Sequence, residues 1–390
     1  MRLLFIQQYF YPDNSAVAQL LSELTRELSD RYGHEVHVLC STNSTGGRPS
    51  RRRIGSVVIH SVPVPPLGRR TIIRRIAVLA LYYATCFVWG LLPKGFDAVV
   101  VLTTPPFVGF IVALAMAFSR KPLVYYIEDL YPEILLDCGI VRRPWLIKKL
   151  GVLNRITLRR ANAVISISRD ITRKLYLNYR YSPARVIEVP NWSTSVRYEE
   201  PRRDGLALMY SGNFGVGHDF SLLPSLLCEL KACEGIRYEL NGGGVRLGEV
   251  RRLFREAGEQ RVTFRTHVDL AALSASLAGA HYFLLAQSER VVGDLLPSKL
   301  YGYLAAGRPI IFLGTRASEI GRLIVDAQLG FVVERASDVR ELGRKLAGSI
   351  ERWEVYREWC ARIAGFYEER FGLERSASRV NGAIEGAIAR

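Results

Sequence analysis

Short apolar runs recur along the chain, most of them separated by one helix-length segment, and this alternation restricts the fold more than any other feature. Leu3 to Ile6, Glu35 to Cys40, Val57 to Val62, Ala98 to Leu102, Leu123 to Ile127 and Ala163 to Ser168 read as strands. Helical patterns cover about Ser15 to Asp30, Ile76 to Leu92, Phe107 to Phe118 and Trp145 to Ala161. Such alternation indicates a parallel sheet covered on both faces. A second set follows, at Leu206 to Tyr210, from Tyr238, at Val262 to Phe264, Ala280 to Leu285, Ile310 to Leu313 and Gly330 to Val333. The 390 residues exceed one ordinary core, so two doubly wound domains are predicted. Residues 193 to 205 have linker composition, residues 43 to 55 read as a polar loop, and helices are predicted from Val339 to Phe366 and Arg375 to Ile388.

Ligands of such sheets gather beyond the C-terminal strand ends, so the loops there hold the candidate residues. Pro297 suits a first helical position, which places Ser298 and Lys299 in the first turn. Free backbone N–H groups and the Lys299 charge would make this helix start an anion site; a capped core helix before a strand would read the same way. The turn Ser211-Gly-Asn-Phe-Gly-Val-Gly-His-Asp219 and the run Asn241-Gly-Gly-Gly244 let backbone N–H groups approach a pyrophosphate. Glycine turns after strands are common, so the spacing alone is weak evidence. Asp13, Asn14 and Ser15 are good N-cap residues for the first helix.

Glu128, Asp129 and Glu133 place three carboxylates directly after an apolar strand, where acids are costly unless paired or functional. They could do acid–base work, cap the next helix, or pair with Arg142 and Arg143. The histidines lack ligand spacing and no metal site is expected. The six cysteines form no Cys-x-x-Cys pair, and reduced core residues are the expectation.

Charge is unevenly placed. Residues 1 to 190 hold 26 Lys and Arg against 12 Asp and Glu, a balance of +14, whereas residues 191 to 390 hold 27 against 25, a balance of +2. A basic first half implies an anionic partner, and without a nucleic-acid-binding signature the expectation is lipid head groups and no nucleic acid. Ile76 to Leu92 carries no charge, yet a crossing there would split one sheet across the membrane. The alternatives are a core helix or an interfacial one with Arg69, Arg70, Arg74 and Arg75 among lipid phosphates. Met1 runs directly into a strand with no signal-peptide pattern, so a cytoplasmic location is expected.

The segment Pro-Ser-Lys-Leu-Tyr-Gly-Tyr-Leu-Ala-Ala-Gly-Arg-Pro-Ile at 297–310 resembles the donor-site signature of GT-B glycosyltransferases of family 4, especially the branch that builds bacterial surface polysaccharides. Tyr-Phe-Tyr-Pro-Asp-Asn at 9–14, Glu-Asp-Leu-Tyr-Pro-Glu at 128–133, Val-Pro-Asn at 189–191 and Tyr-Ser-Gly-Asn-Phe-Gly at 210–215 resemble the same branch. The resemblance implies an α/β GT-B fold of two facing doubly wound Rossmann-like domains: residues 1–192 for acceptor and membrane, 206–370 for the nucleotide sugar, and 371–390 as a helix returning to the first domain.

It further implies a retaining transfer from a nucleotide-diphosphate sugar, a UDP-sugar being favoured, to a lipid-linked sugar acceptor at the inner face of the cell membrane. No cofactor beyond the donor is expected. In this reading Asn14 and Ser15 approach the donor diphosphate. Ser211, Gly212, Asn213, Gly215, Gly242, Gly243 and Gly244 surround the nucleotide and diphosphate. Asp294 holds the sugar, and Pro297, Ser298, Lys299 and Leu300 stabilise the departing diphosphate. Asp129, then Glu128, would take over acceptor contact or base work, because the cleft histidine of many relatives is absent. Two other departures stand out: Gly302 occupies the position of a usual second glutamate, and the loop after Leu206–Tyr210 lacks the usual basic pair. Rival expectations are a nucleotide-sugar epimerase of the same architecture and a non-catalytic partner subunit.

Overall fold

The computed structural model describes all residues except 14, 42–49, 63–71, 92–94, 232 and 234. The chain divides into two compact units. The first comprises Met1–Asn191, Gly293–Leu296 and Leu373–Arg390, and the second Trp192–Val292 and Pro297–Gly372.

The strands of the first unit are β1 (Arg2–Ile6), β2 (Glu35–Ser41), β3 (Ser50–Ile54), β4 (Val57–Val62), β5 (Ala98–Leu102), β6 (Leu123–Ile127), β7 (Ala163–Ser166) and β8 (Val186–Glu188). They form one sheet in the order β3-β4-β2-β1-β5-β6-β7-β8. Its central strands are buried along their whole length, as both-sided coverage requires. Helices α1 (Ala16–Tyr32), α2 (Ile72–Leu91), α3 (Val108–Ala115), α4 (Glu133–Asp137), α5 (Pro144–Arg160), α6 (Arg169–Tyr179) and α14 (Leu373–Ile388) complete the unit.

Three expectations need correction here. Part of the predicted polar loop is β3, the only antiparallel strand of this sheet among the described residues, with Arg52 opposite Ile59. Arg51, Arg52 and Arg53 are exposed on it, and such a charged edge resists pairing with another chain. α2 starts at Ile72, four residues before the predicted start at Ile76, and so takes in Arg74 and Arg75; Arg69 and Arg70 lie outside the described residues. Arginine has high intrinsic helix propensity, so the charges do not stop the helix from starting before Ile76. α3 is shorter than predicted, ending at Ala115 rather than Phe118.

The second unit has β9 (Leu206–Ser211), β10 (Ile236–Asn241), β11 (Val262–Arg265), β12 (Tyr282–Ala286), β13 (Ile310–Leu313) and β14 (Gly330–Val333) in the all-parallel order β11-β10-β9-β12-β13-β14. Its helices are α7 (Leu223–Leu230), α8 (Leu247–Glu256), α9 (Leu270–Ala278), α10 (Lys299–Ala305), α11 (Glu319–Asp326), α12 (Ala336–Glu351) and α13 (Trp353–Arg370). Leu208, Tyr210, Phe214, Phe220, Leu226 and Tyr238 belong to its core. Two further corrections fall here. Pro297 precedes α10, which begins at Lys299 with no side-chain cap, and the predicted helix 339–366 is two helices broken at Arg352 (φ −103°, ψ 55°).

Both sheets are built outward from their first strand. β1 lies between β2 and β5, and β9 between β10 and β12. In each the winding reverses beside that strand, and the C-terminal ends there form the crevice where ligands of such sheets bind. Among the described residues no helix is long and apolar enough to cross a membrane.

Candidate active site

In the first unit the ends of β5 and β6 hold the acidic run. Thr103, directly after β5, is buried, and its hydroxyl oxygen accepts the backbone N–H of Glu128 at 3.2 Å and of Asp129 at 3.1 Å. The next amide, Leu130, donates to the carbonyl of Asp294 at 2.7 Å. Three consecutive amides are thus occupied, and the loop holds both carboxyls without using its own backbone dipoles on them.

The two acids differ. Glu128 is 8% exposed and its Oε2 has no hydrogen-bond partner. Burial first, and then the Asp129 charge, pushes its carboxyl up to about 8, so it is protonated at neutral pH. Asp129 is only partly buried, and desolvation raises it to about 6. It is therefore the ionised and reachable member of the pair, with a pKa suited to accepting a proton near neutrality. Glu133 has a structural role: its Oε1 accepts from Asn178 at 3.0 Å and Tyr179 at 2.7 Å, and it opens α4. Ser15 is committed as N-cap of α1, its Oγ accepting from the Ala18 amide, while its own amide donates to Asp13. Asn14 lies outside the described residues.

In the second unit two glycine loops meet at the ends of β9 and β10. Gly242 has φ +136°, and a Cβ there would lie 2.0 Å from the Gly212 carbonyl oxygen; at Gly244 a Cβ would lie 2.4 Å from Asn213 Oδ1. Side chains at either place would push the loops apart, so the backbones of 212–214 and 242–244 pack directly. The amide of Gly212 donates to Asn241 at 2.9 Å and that of Phe214 to Gly243 at 2.8 Å. Gly215 donates its N–H to His218 Nδ1 at 2.9 Å, and burial drives that imidazole down to about 3, fixing it as a neutral acceptor.

Lys299 reaches this shelf from the first turn of α10. Its Nζ donates to the Tyr210 hydroxyl and to the Asn213 carbonyl at 2.9 Å, and lies 4.0 Å from the Tyr210 ring centroid. Its Cε would be 3.2 Å from a Cβ at Gly212. Desolvation lowers its pKa to about 7, because no carboxylate compensates. An arriving anion would supply that compensation. Ser211 is held by Tyr303, whose hydroxyl accepts the Ser211 amide at 2.9 Å, and Tyr303 stacks on Phe283 at 4.0 Å. The side-chain carboxamide of Asn241 is buried and has no hydrogen-bond partner.

The structure therefore brings Ser211, Gly212, Asn213, Gly215, Gly242, Gly243, Gly244 and Lys299 into one neighbourhood. Ser298 is the uncapped residue before α10, and Leu300 is a buried core residue of it. α10 spans seven residues, so Lys299 rather than the helix end supplies most of the positive charge. Asp294 belongs to the first unit. It is fully buried, with Lys174 Nζ at 2.6 Å and that same ammonium 2.8 Å from Asp137. Burial raises its carboxyl, and Asp137 acts in the same direction against the Lys174 charge. Thr103, Tyr210, His218 and Lys174 escape a sequence reading, because each looks like an ordinary strand-end, turn or helix residue. Tyr210 and His218 carried a signal only as members of the glycine-turn run. Among the described residues no group of three or more His, Cys, Asp or Glu could hold a metal ion.

Residues 15–192 match the family model described as a glycosyl transferase 4-like domain. A stretch of 223 residues is 23% identical to the Probable glycosyltransferase WbjE of Pseudomonas aeruginosa, covering 53% of this chain and 55% of that protein. The chain thus spans about half the length of the curated relative it matches. Its GT-B fold is shared with sucrose-phosphate synthase of Thermosynechococcus elongatus, with a TM-score of 0.75 at 12% identity over 100% of this chain and 99% of that one. It is also shared with HepE of Anabaena in complex with UDP and glucose, at 0.69 and 12% identity over 99% of each chain.

Proposed function

We propose that this chain is a glycosyltransferase of surface-polysaccharide assembly, moving a sugar from a nucleotide-diphosphate donor, a UDP-sugar by preference, to a lipid-linked acceptor at the inner membrane face. The observation that carries this reading is the glycine shelf of 211–215 and 242–244 with the uncompensated Lys299 ammonium beside it. Close-packed glycine backbones accommodate a bulky anion, and the lysine supplies charge where the leaving diphosphate develops it. The match to a glycosyl transferase 4-like domain and the fold shared with HepE, whose complex holds UDP and glucose, support the same chemistry.

In this reading the donor is consumed as substrate and no further cofactor takes part. Asp129 contacts the acceptor hydroxyl and receives its proton, while Glu128 stays protonated behind it. Departure of the diphosphate is aided by Lys299, whose pKa rises when the anion binds, and retention of configuration follows the family pattern. Asp294, whose carboxyl pairs with Lys174, is proposed to hold the donor sugar.

The test is a thermal-shift panel of UDP-, GDP-, ADP- and CDP-sugars, in which ligand at about 100 times its Kd stabilises by about 2.7 kcal/mol. One class should shift the protein and lose that shift in Lys299→Met. Sugar diphosphate diesters carry no titratable proton near neutrality, so the pH dependence of Kd reports the protein. Affinity should be full below pH 7 and weaken as Lys299 deprotonates above it; the variant should show a flat profile. Lys299→Ala should also lower turnover more than about tenfold. No shift by any nucleotide sugar would overturn the reading.

A further inference from the structure

The first unit presents an apolar, cationic face that neither sheet end uses. α5 turns Ile147, Gly151, Asn154, Thr157 and Leu158 inward and leaves 145, 148, 149, 152, 155, 156 and 159 outside. That outer stripe, at i, i+3, i+4 and i+7 spacing, carries Trp145, Val152 and Ile156, which are 52%, 47% and 40% exposed. Aromatic and aliphatic side chains exposed among cations on one helix face suit an interface between water and an apolar phase.

The face continues beyond α5. Arg160 at its end donates to the carbonyls of Met116 at 3.1 Å, Ser119 at 2.9 Å and Lys121 at 3.0 Å, and so fastens the turn after α3 beside the stripe. Phe118 stands on that turn, fully exposed, with Leu114 half exposed on the helix behind it. α2 closes in from the other side: a Cβ at Gly90 would lie 2.8 Å from the Ala115 Cβ, and the neighbouring Leu91 is half exposed.

Charge identifies the occupant. Residues 98–127 and 138–169 contain no Asp or Glu, against two and eight Lys or Arg respectively. Lys148, Lys149, Arg155 and Arg159 alternate with the apolar side chains along that stripe, and Lys149 lies over the Trp145 ring at 5.1 Å. A second copy of the same face would meet it with like charge. Nucleic acid would leave Val152, Ile156 and Phe118 without an apolar partner. An anionic bilayer answers both features, taking aromatic and aliphatic side chains at the acyl boundary while its phosphates meet the lysines and arginines.

We propose that the α5 stripe together with the Phe118 turn is a surface that docks on anionic membrane lipid. It deepens the reading of a lipid-linked acceptor, but it is a property of the first unit alone and needs no donor. The experiment is co-sedimentation of the full chain with phosphatidylcholine vesicles containing about one third phosphatidylglycerol, and with pure phosphatidylcholine, without any nucleotide sugar. Wild type should bind the anionic vesicles, weakening with salt. Phe118→Glu/Trp145→Glu and Lys148→Glu/Lys149→Glu should each reduce partitioning at least about tenfold.

Arg51→Glu/Arg52→Glu, which makes the same charge change on the exposed β3 edge, should stay within about threefold. Circular dichroism and an unchanged melting temperature establish that the variants are folded. Equal losses in the β3 control and the α5 variants would overturn the proposal, as would full binding by Phe118→Glu/Trp145→Glu. So would loss of a dimer rather than of lipid binding in that variant, by sedimentation velocity. A retained lipid interaction with no donor shift would instead sink only the transferase reading.

Discussion

Glu128 and Asp129 are adjacent in sequence and share one anchor, the Thr103 hydroxyl; burial raises both, and with the Asp129 charge added Glu128 reaches about 8 against about 6 for Asp129. The separation has a thermodynamic consequence. A carboxyl raised on folding binds its proton more tightly in the folded state, so it contributes stability at low pH that is lost as pH rises through the folded value. For Glu128 the window runs from about 4.5 to about 8. Glu128→Gln should therefore leave the melting temperature nearly unchanged at pH 5 and raise it by at least about 2–4 °C at pH 8, equivalent to about 1 kcal/mol. Calorimetry at the two pH values checks this, and a difference that is the same at both would show that Glu128 does not titrate there. Identity and position of the acidic run were legible in the sequence, because carboxylates after an apolar strand violate the usual pattern. The inequality was not, since it depends on which side chain turns inward from a loop held by residues 25 positions away.

At the scale of elements, α9 and α10 are short helices whose C-terminal carbonyls come together on one side chain. Arg308 is fully buried and donates to Ala278 at 3.1 Å, Ala280 at 2.8 Å and Ala306 at 2.9 Å. A guanidinium suits this place, because its fixed fork serves three acceptors and its charge opposes the helix dipoles. Arg308→Leu should cost about 3 kcal/mol or more in urea unfolding, since three buried carbonyls lose their partner, while Arg308→Lys should recover only part. The sequence marked this region as helix, glycine stop and strand, and the strand Ile310–Leu313 is where the pattern placed it. Nothing in the pattern distinguished Arg308 from a surface arginine after a helix. The β3 edge and the break at Arg352 were missed for a related reason: both elements follow from pairing and packing partners that local propensity does not contain.

The whole molecule shows that a unit need not be one segment of chain. Leu373–Arg390, last in sequence, clusters with the first unit, where Ala377, Val380 and Ile384 are buried and Asn381 Oδ1 lies 2.6 Å from His34 Nε2. A chain ending at Gly372 should consequently lose protection in α1 and β7 in hydrogen exchange, more than in the adjoining α13. Loss confined to α13 would contradict this assignment. By itself the sequence determined the layered α/β class, the alternation of strands and helices, the loops at the strand ends and the one-sided distribution of charge. These follow from local periodicity, glycine and proline chemistry and counting. Tertiary structure alone decided which partners those loops received: Lys299 on Tyr210 and Asn213, Asp294 on Lys174, Thr103 under the acidic run. The physical reason is that a side chain's charge state and contacts depend on desolvation and on neighbours far along the chain, and neither is written in the residues next to it.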